Sequence, residues 1–117
     1  MRSLFFALLL VILAIPAQAA FKGPGAVEGV HTVAQALKAA DHTPCILEGK
    51  IIEKVVGHSD KYIFQDSTGT MTVEIDDKVF AGRDVTPAMT VRAQGKVDAE
   101  ALSKNEVDVK HLEILSK

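Results

Sequence analysis

The chain has one cysteine, Cys45, and no tryptophan among its 117 residues. A lone cysteine cannot close an intramolecular disulfide, so the domain has to fold on its apolar core alone and is no stapled mini-protein. Aromatic residues are scarce at 5% of the chain, and beyond the N-terminal stretch they reduce to Phe21, Tyr62, Phe64 and Phe80. A basic excess is lacking too: 13 Lys and Arg stand against 15 Asp and Glu. Single-stranded nucleic acid calls for a positive groove and exposed aromatic faces on which bases stack. Neither is evident, so nucleic acid is not an expected partner.

Long apolar runs are also missing, except at the start. Met1, Arg2 and Ser3 precede an uncharged apolar stretch from Leu4 to Ile15, then Pro16 and Ala17-Gln18-Ala19. A positive start, an apolar run too short to span a bilayer of about 30 Å, and a small-residue A-x-A site form the layout of a cleavable export signal. Residues 1–19 are the expected signal peptide, and the mature chain is expected to begin at Ala20. Its removal takes away Arg2 and no acid, which leaves a net charge of about −3. What remains suffices for one compact domain and not for two.

Gly23, Pro24, Gly25 and Gly29 deny the backbone a regular period, so residues 20–31 read as a flexible lead-in. Thr32 with Gln35 is a capping box opening a helix from Thr32 to about Ala40, whose apolar stripe is Val33, Ala36, Leu37 and Ala40. After Pro44 the period changes to two. Cys45, Leu47, Gly49 and Ile51 share one face of a long first strand reaching Val56. Turn chemistry at Gly57 to Asp60 leads to a second strand, Lys61 to Asp66, with Tyr62 and Phe64 inward. Ser67-Thr68-Gly69 then turns into a third, with Met71, Val73 and Ile75 inward. Asp77 to Pro87 is a polar connection anchored by Phe80, and Val91, Ala93, Gly95 and Val97 mark a fourth strand. The last strand, Glu106 to about Leu115, changes phase between Val107 and Val109 on one parity and Leu112 and Ile114 on the other. A β-bulge near Lys110 or His111 reconciles them. The expected fold is mainly β: a small five-stranded OB-type barrel over residues 32–117 with one short N-terminal helix. The third connection is too short for the substantial helix usual there, so the early helix is expected to plug the barrel end.

The series Y-x-F-x-D-x-T-G at Tyr62 to Gly69, V-x-I-D-D at Val73 to Asp77, V-T-P at Val85 to Pro87, G-x-V-D at Gly95 to Asp98 and D-V-K at Asp108 to Lys110 resembles an ordered pattern. It is similar to that of the bacterial OB-fold (BOF) family of periplasmic stress-tolerance proteins, of the YgiW and YdeI type. The preceding GPGAVEGVHTVAQALKAADHTPCILEGKI matches that family's lead, helix and first strand in order and spacing. Cys45 and Met71 depart mildly, standing where the family usually has other aliphatic residues. The resemblance implies a soluble periplasmic protein serving envelope stress tolerance, with no catalytic site and no cofactor to carry over.

Several groups invite chemistry and are read more simply. Glu74, Asp76 and Asp77 are carboxylates suited to a hard cation, but the ligand spacing of a calcium loop is absent. His31, His42, His58 and His111 lack the short pairings of a zinc motif. His58-Ser59-Asp60 holds the letters of a triad on one turn, whereas triads draw on distant segments. Cys45 shares parity with Leu47 and Ile51, which marks it as a small core residue rather than a redox sensor. The reading is therefore a binding module, not an enzyme. Its expected ligand-binding residues are His58, Asp60, Lys61, Ile63, Gln65, Thr72 and Glu74, on the outward face of strands two and three and the rim turn. The expected partner is an envelope protein or a peptidoglycan-type fragment. The alternative is a stress-related divalent metal binder using surface carboxylates and histidines.

Overall fold

The computed structural model describes residues 29–100 and 103–117. The expected signal peptide, its cleavage site and most of the lead-in lie outside the described residues. A one-turn helix α1 (Val33–Ala36) is followed by β1 (Pro44–Lys54), β2 (Lys61–Asp66), β3 (Gly69–Ile75), a second one-turn helix α2 (Asp77–Phe80), β4 (Thr90–Asp98) and β5 (Glu106–Ser116). The strands close in the order β1-β2-β3-β5-β4, with every neighbour antiparallel except the β3–β5 pair. This is the five-stranded OB-type barrel expected from the alternation of apolar residues.

Each strand of the closed barrel has two neighbours, and β1 divides its length between them. Its first half, Pro44 to Gly49, pairs with β4, and Lys50 to Lys54 pairs with β2. Gly49 sits at the changeover, where a Cβ would strike the Gln65 carbonyl oxygen and lie 3.0 Å from the Phe64 ring. The absent side chain is what lets strand and ring close together. The expected bulge lies at Lys110. Register passes from Gln94 opposite His111 to Gly95 opposite Val109, so Lys110 is unpaired. Lys110 and His111 both face solvent, and the inward positions move from Val107 and Val109 to Leu112.

Inside, Cys45, Leu47, Ile51, Phe64, Met71, Val73, Ile75, Val91, Ala93, Val97, Val107, Val109 and Leu112 form one buried cluster. It contains no buried polar or charged residue. Tyr62, expected inward, is half-buried. Its ring meets Phe80 edge-on, with centroids 5.5 Å apart, and Lys54 Nζ lies 5.4 Å from its centroid. β1 ends at Lys54 rather than Val56, because the chain turns through Gly57 with φ at 88° and leaves Val56 in water.

The two helices plug opposite ends. α2 follows β3 directly and lays Val79 and Phe80 on the core, while Ala81 ends it in the left-handed region. α1 sits over the β2–β3 turn at the other end and buries Val33 and Ala36 completely. Its capping box is present as expected, with Gln35 N–H donating to Thr32 Oγ1 and the Gln35 side chain accepting from the Thr32 N–H. Asp66 adds a cap from outside the helix. Its carboxylate accepts the Val33 N–H at 2.9 Å, the Thr68 N–H at 2.7 Å and the Thr68 hydroxyl at 2.6 Å. The helix stops at Ala36, short of the expected Ala40: the Lys38 and Ala39 N–H groups reach back only three residues, to the Gln35 and Ala36 carbonyls, and Asn105 Nδ2 donates to the Ala36 and Ala39 carbonyls at 2.9 Å. Leu37, expected in the buried stripe, is exposed. Of the lead-in, Val30 is buried and bridges Cys45 in parallel, so the packed chain starts ahead of Thr32.

Candidate binding face

The β2–β3 ladder pairs Lys61 with Glu74, Ile63 with Thr72 and Gln65 with Thr70. Strand alternation turns these residues outward while Phe64, Met71, Val73 and Ile75 fill the barrel. The expected site residues Lys61, Ile63, Gln65, Thr72 and Glu74 therefore share one face of the sheet. They do not line one site, because the surface beside them divides into three hollows.

Ile63 and Thr72 line the first, a groove of about 570 Å³ completed by Thr70, by Leu37 and Lys38 at the end of α1, and by Ser103 to Glu106 ahead of β5. Gln65 borders a second, with His31, Thr32, Glu48 and Lys50. Asp60 borders a third, with Ser59, Asp76, Asp77 and Lys78. His58 stands exposed on the rim turn, apart from the groove. Leu37, Lys38, Thr70, Lys104 and Asn105 escaped the sequence reading. The helical period assigned Leu37 to the core, and no local pattern announces that a loop ahead of β5 folds back against the end of α1.

Charge is uneven along the face. Lys61 is tied to Glu106 on β5 by an ion pair of 2.9 Å, and both side chains are about one-quarter exposed, 28% and 27%. The hydrogen bond to Glu106 raises the Lys61 pKa above its ordinary value against the opposing effect of burial, with further help from the charges of Glu106, Glu74 and Asp60. Glu74 is shifted upward as well, first by burial, then by a hydrogen bond to Asp60 and the negative charges of Asp60 and Asp108. The face is thus acidic at the β3 end near Asp60. It turns basic toward the groove, whose rim carries Lys38 and Lys104.

Among the described residues, no group of three or more His, Cys, Asp or Glu is placed to hold a metal ion. Glu74 hydrogen-bonds Asp60 but does not line the hollow that Asp60 shares with Asp76 and Asp77. His58, Ser59 and Asp60 make no side-chain hydrogen bond with one another. Cys45 is 2% exposed, and burial pushes its thiol pKa up to about 11, so it is held as the unreactive thiol.

The chain is similar to named proteins over most of its length. It is 40% identical over 97 residues to the calcium-regulated OB-fold protein CarO of Pseudomonas aeruginosa, covering 83% of this chain and 81% of that protein. It is 38% identical over 106 residues to protein YgiW of Escherichia coli K12, covering 81% and 79%. The solved structure of E. coli YgiW superposes with a TM-score of 0.69 at 39% identity, over 84% of this chain and 100% of that one. The OB domain of MM0293 from Methanosarcina mazei shares the fold alone, at 17% identity, a TM-score of 0.55 and 78% and 88% coverage. The family described as bacterial OB fold (BOF) protein matches residues 14–114, and on that match, with the barrel and these relatives, the chain belongs to the BOF family.

Proposed function

We propose that the chain is exported, loses residues 1–19, and acts in the periplasm as a non-catalytic binding module contributing to envelope stress tolerance. It does so by recognising an envelope protein or a cell-wall glycan fragment. The observation that carries this reading is the groove on the outer face of β2 and β3, formed by Ile63, Thr70 and Thr72 against the end of α1 and the loop ahead of β5. OB folds take extended polymers along the face of strands two and three, and the groove lies there. Membership in the BOF family and the export layout of Met1 to Ala19 support the cellular role.

The test is capture from envelope extracts with the mature protein, followed by identification of bound protein and glycan. Ile63→Ala combined with Thr72→Ala keeps Lys61 and its ion pair to Glu106 intact, unlike a change at Lys61 itself. The double variant is expected to melt cooperatively and to lose capture. Undiminished capture moves binding away from this face. N-terminal sequencing of the protein recovered from the periplasmic fraction is expected to begin at Ala20, and a sequence starting at Met1 refutes export with cleavage.

A further inference from the structure

Hydrogen bonding along β3 is uneven. In an antiparallel ladder alternate residues turn their main-chain groups toward the partner strand. The Ile75 N–H donates to the Asp60 carbonyl at 2.8 Å, which sets the phase. With Tyr62 opposite Val73 and Phe64 opposite Met71, the odd-numbered residues of β3 face β2. The main-chain groups of Thr70 and Thr72 therefore face the other way, toward β5. But β5 pairs with β3 only at Val73, Glu74 and Ile75. Beside Thr70 and Thr72 β5 has not yet begun, and the groove opens there instead, lined by Thr70, Met71 and Thr72 on one side and Ser103 to Glu106 on the other. Thr70 is exposed. Its N–H and C=O, with the Thr72 N–H, form a short strand edge next to a groove that carries the apolar side chains of Leu37 and Ile63.

The charges at this edge select the occupant. Glu106 is the acid on the groove, and it is already paired with Lys61. Lys38 and Lys104 flank the groove, and neither is in an ion pair among the described residues. A net-negative protein thus presents a locally positive slot beside main-chain donors and an acceptor that have no partner among the described residues. We propose that the Thr70–Thr72 edge of β3 takes an extended polypeptide segment of a partner protein as an added strand, with a carboxylate of that segment reaching Lys38 or Lys104. Strand addition draws affinity from main-chain hydrogen bonds and specificity from side-chain pockets. This deepens the proposed binding role and rests on it.

The probe is a capped synthetic peptide alternating Thr and Val with Glu at one end, titrated into the mature protein and followed by amide NMR. Saturable binding is expected, with slowed hydrogen exchange at the Thr70 and Thr72 amides. Methylating alternate peptide nitrogens should abolish it. Thr70→Pro removes an N–H that faces away from β2, a place where an edge strand tolerates proline, and should weaken binding about tenfold. Lys38→Glu with Lys104→Glu leaves the core untouched and should also weaken it, which keeps a test should Thr70→Pro fail to fold. Binding that survives N-methylation, or no binding to the groove, overturns strand addition. A soluble muropeptide run in parallel separates the two failures: if it alone shifts Ile63 and Thr72, the binding face stands and its partner is glycan. If neither probe shifts them, the face itself is wrong.

Discussion

Asp66 joins two elements that are far apart in the chain, and its removal should be felt well beyond the hairpin. Its carboxylate accepts the Val33 N–H at the start of α1 together with the N–H and hydroxyl of Thr68. Asp66→Ala leaves the buried Val33 N–H without its acceptor. A hydrogen bond to a charged group contributes about 1.5–3 kcal/mol. The two Thr68 donors lie on an exposed turn where water replaces the carboxylate, so they add less. The sum is about 2–3 kcal/mol, which begins where the range for an ordinary lost helix cap, about 0.5–2 kcal/mol, ends. For a domain of this size that is a fall in Tm of roughly 10–20 °C. Burial tends to raise the Asp66 pKa, but the hydrogen bonds from Thr68, Val33 and Gly69 outweigh it and hold the carboxyl below its ordinary 3.8. A depressed folded-state pKa means that this stabilisation is complete above 3.8 and is lost as pH falls below it toward the folded value. Thermal melts at neutral pH, with urea midpoints followed down through pH 3.8, check both halves. The stability gap between wild type and Asp66→Asn should narrow on the acid side. A melting change for Asp66→Ala no larger than an ordinary surface substitution, about 0.5 kcal/mol, refutes the argument.

Cys45 is buried and its thiol pKa is pushed up to about 11, so it should react slowly with a thiol reagent in the native protein and rapidly in denaturant. Cys45→Ser should cost about 1–3 kcal/mol in chemical denaturation, because it places a hydroxyl among Val30, Leu47 and their neighbours. Gly95→Ala drives a Cβ into the Asp108 carbonyl opposite the bulge, and a loss of about 1–3 kcal/mol by urea titration is expected from overpacking. Val97→Asp puts an unpaired carboxylate at a position 1% exposed and should abolish the cooperative melt.

Where neighbours in the chain decide the outcome, the sequence alone was sufficient. The two-residue period determines which side of each strand is apolar, so the inward set from Cys45 through Val97 follows from local alternation. The phase change after Val109 located the bulge for the same reason, since an extra residue is what restores an interrupted alternation. The Thr32 and Gln35 capping box was equally legible, because its partners lie within one turn. What needed the tertiary structure involves residues remote in sequence. The chain just past α1 is tied down by Asn105, remote in sequence, whose side chain donates to the Ala36 and Ala39 carbonyls. Lys61 reads as a free outward cation until β5 brings Glu106 beside it. The groove beside Thr70 and Thr72 exists because Leu37 and Asn105, remote in sequence, are brought together there. Side-chain parity carries no information about that placement, because the closure of the barrel sets it.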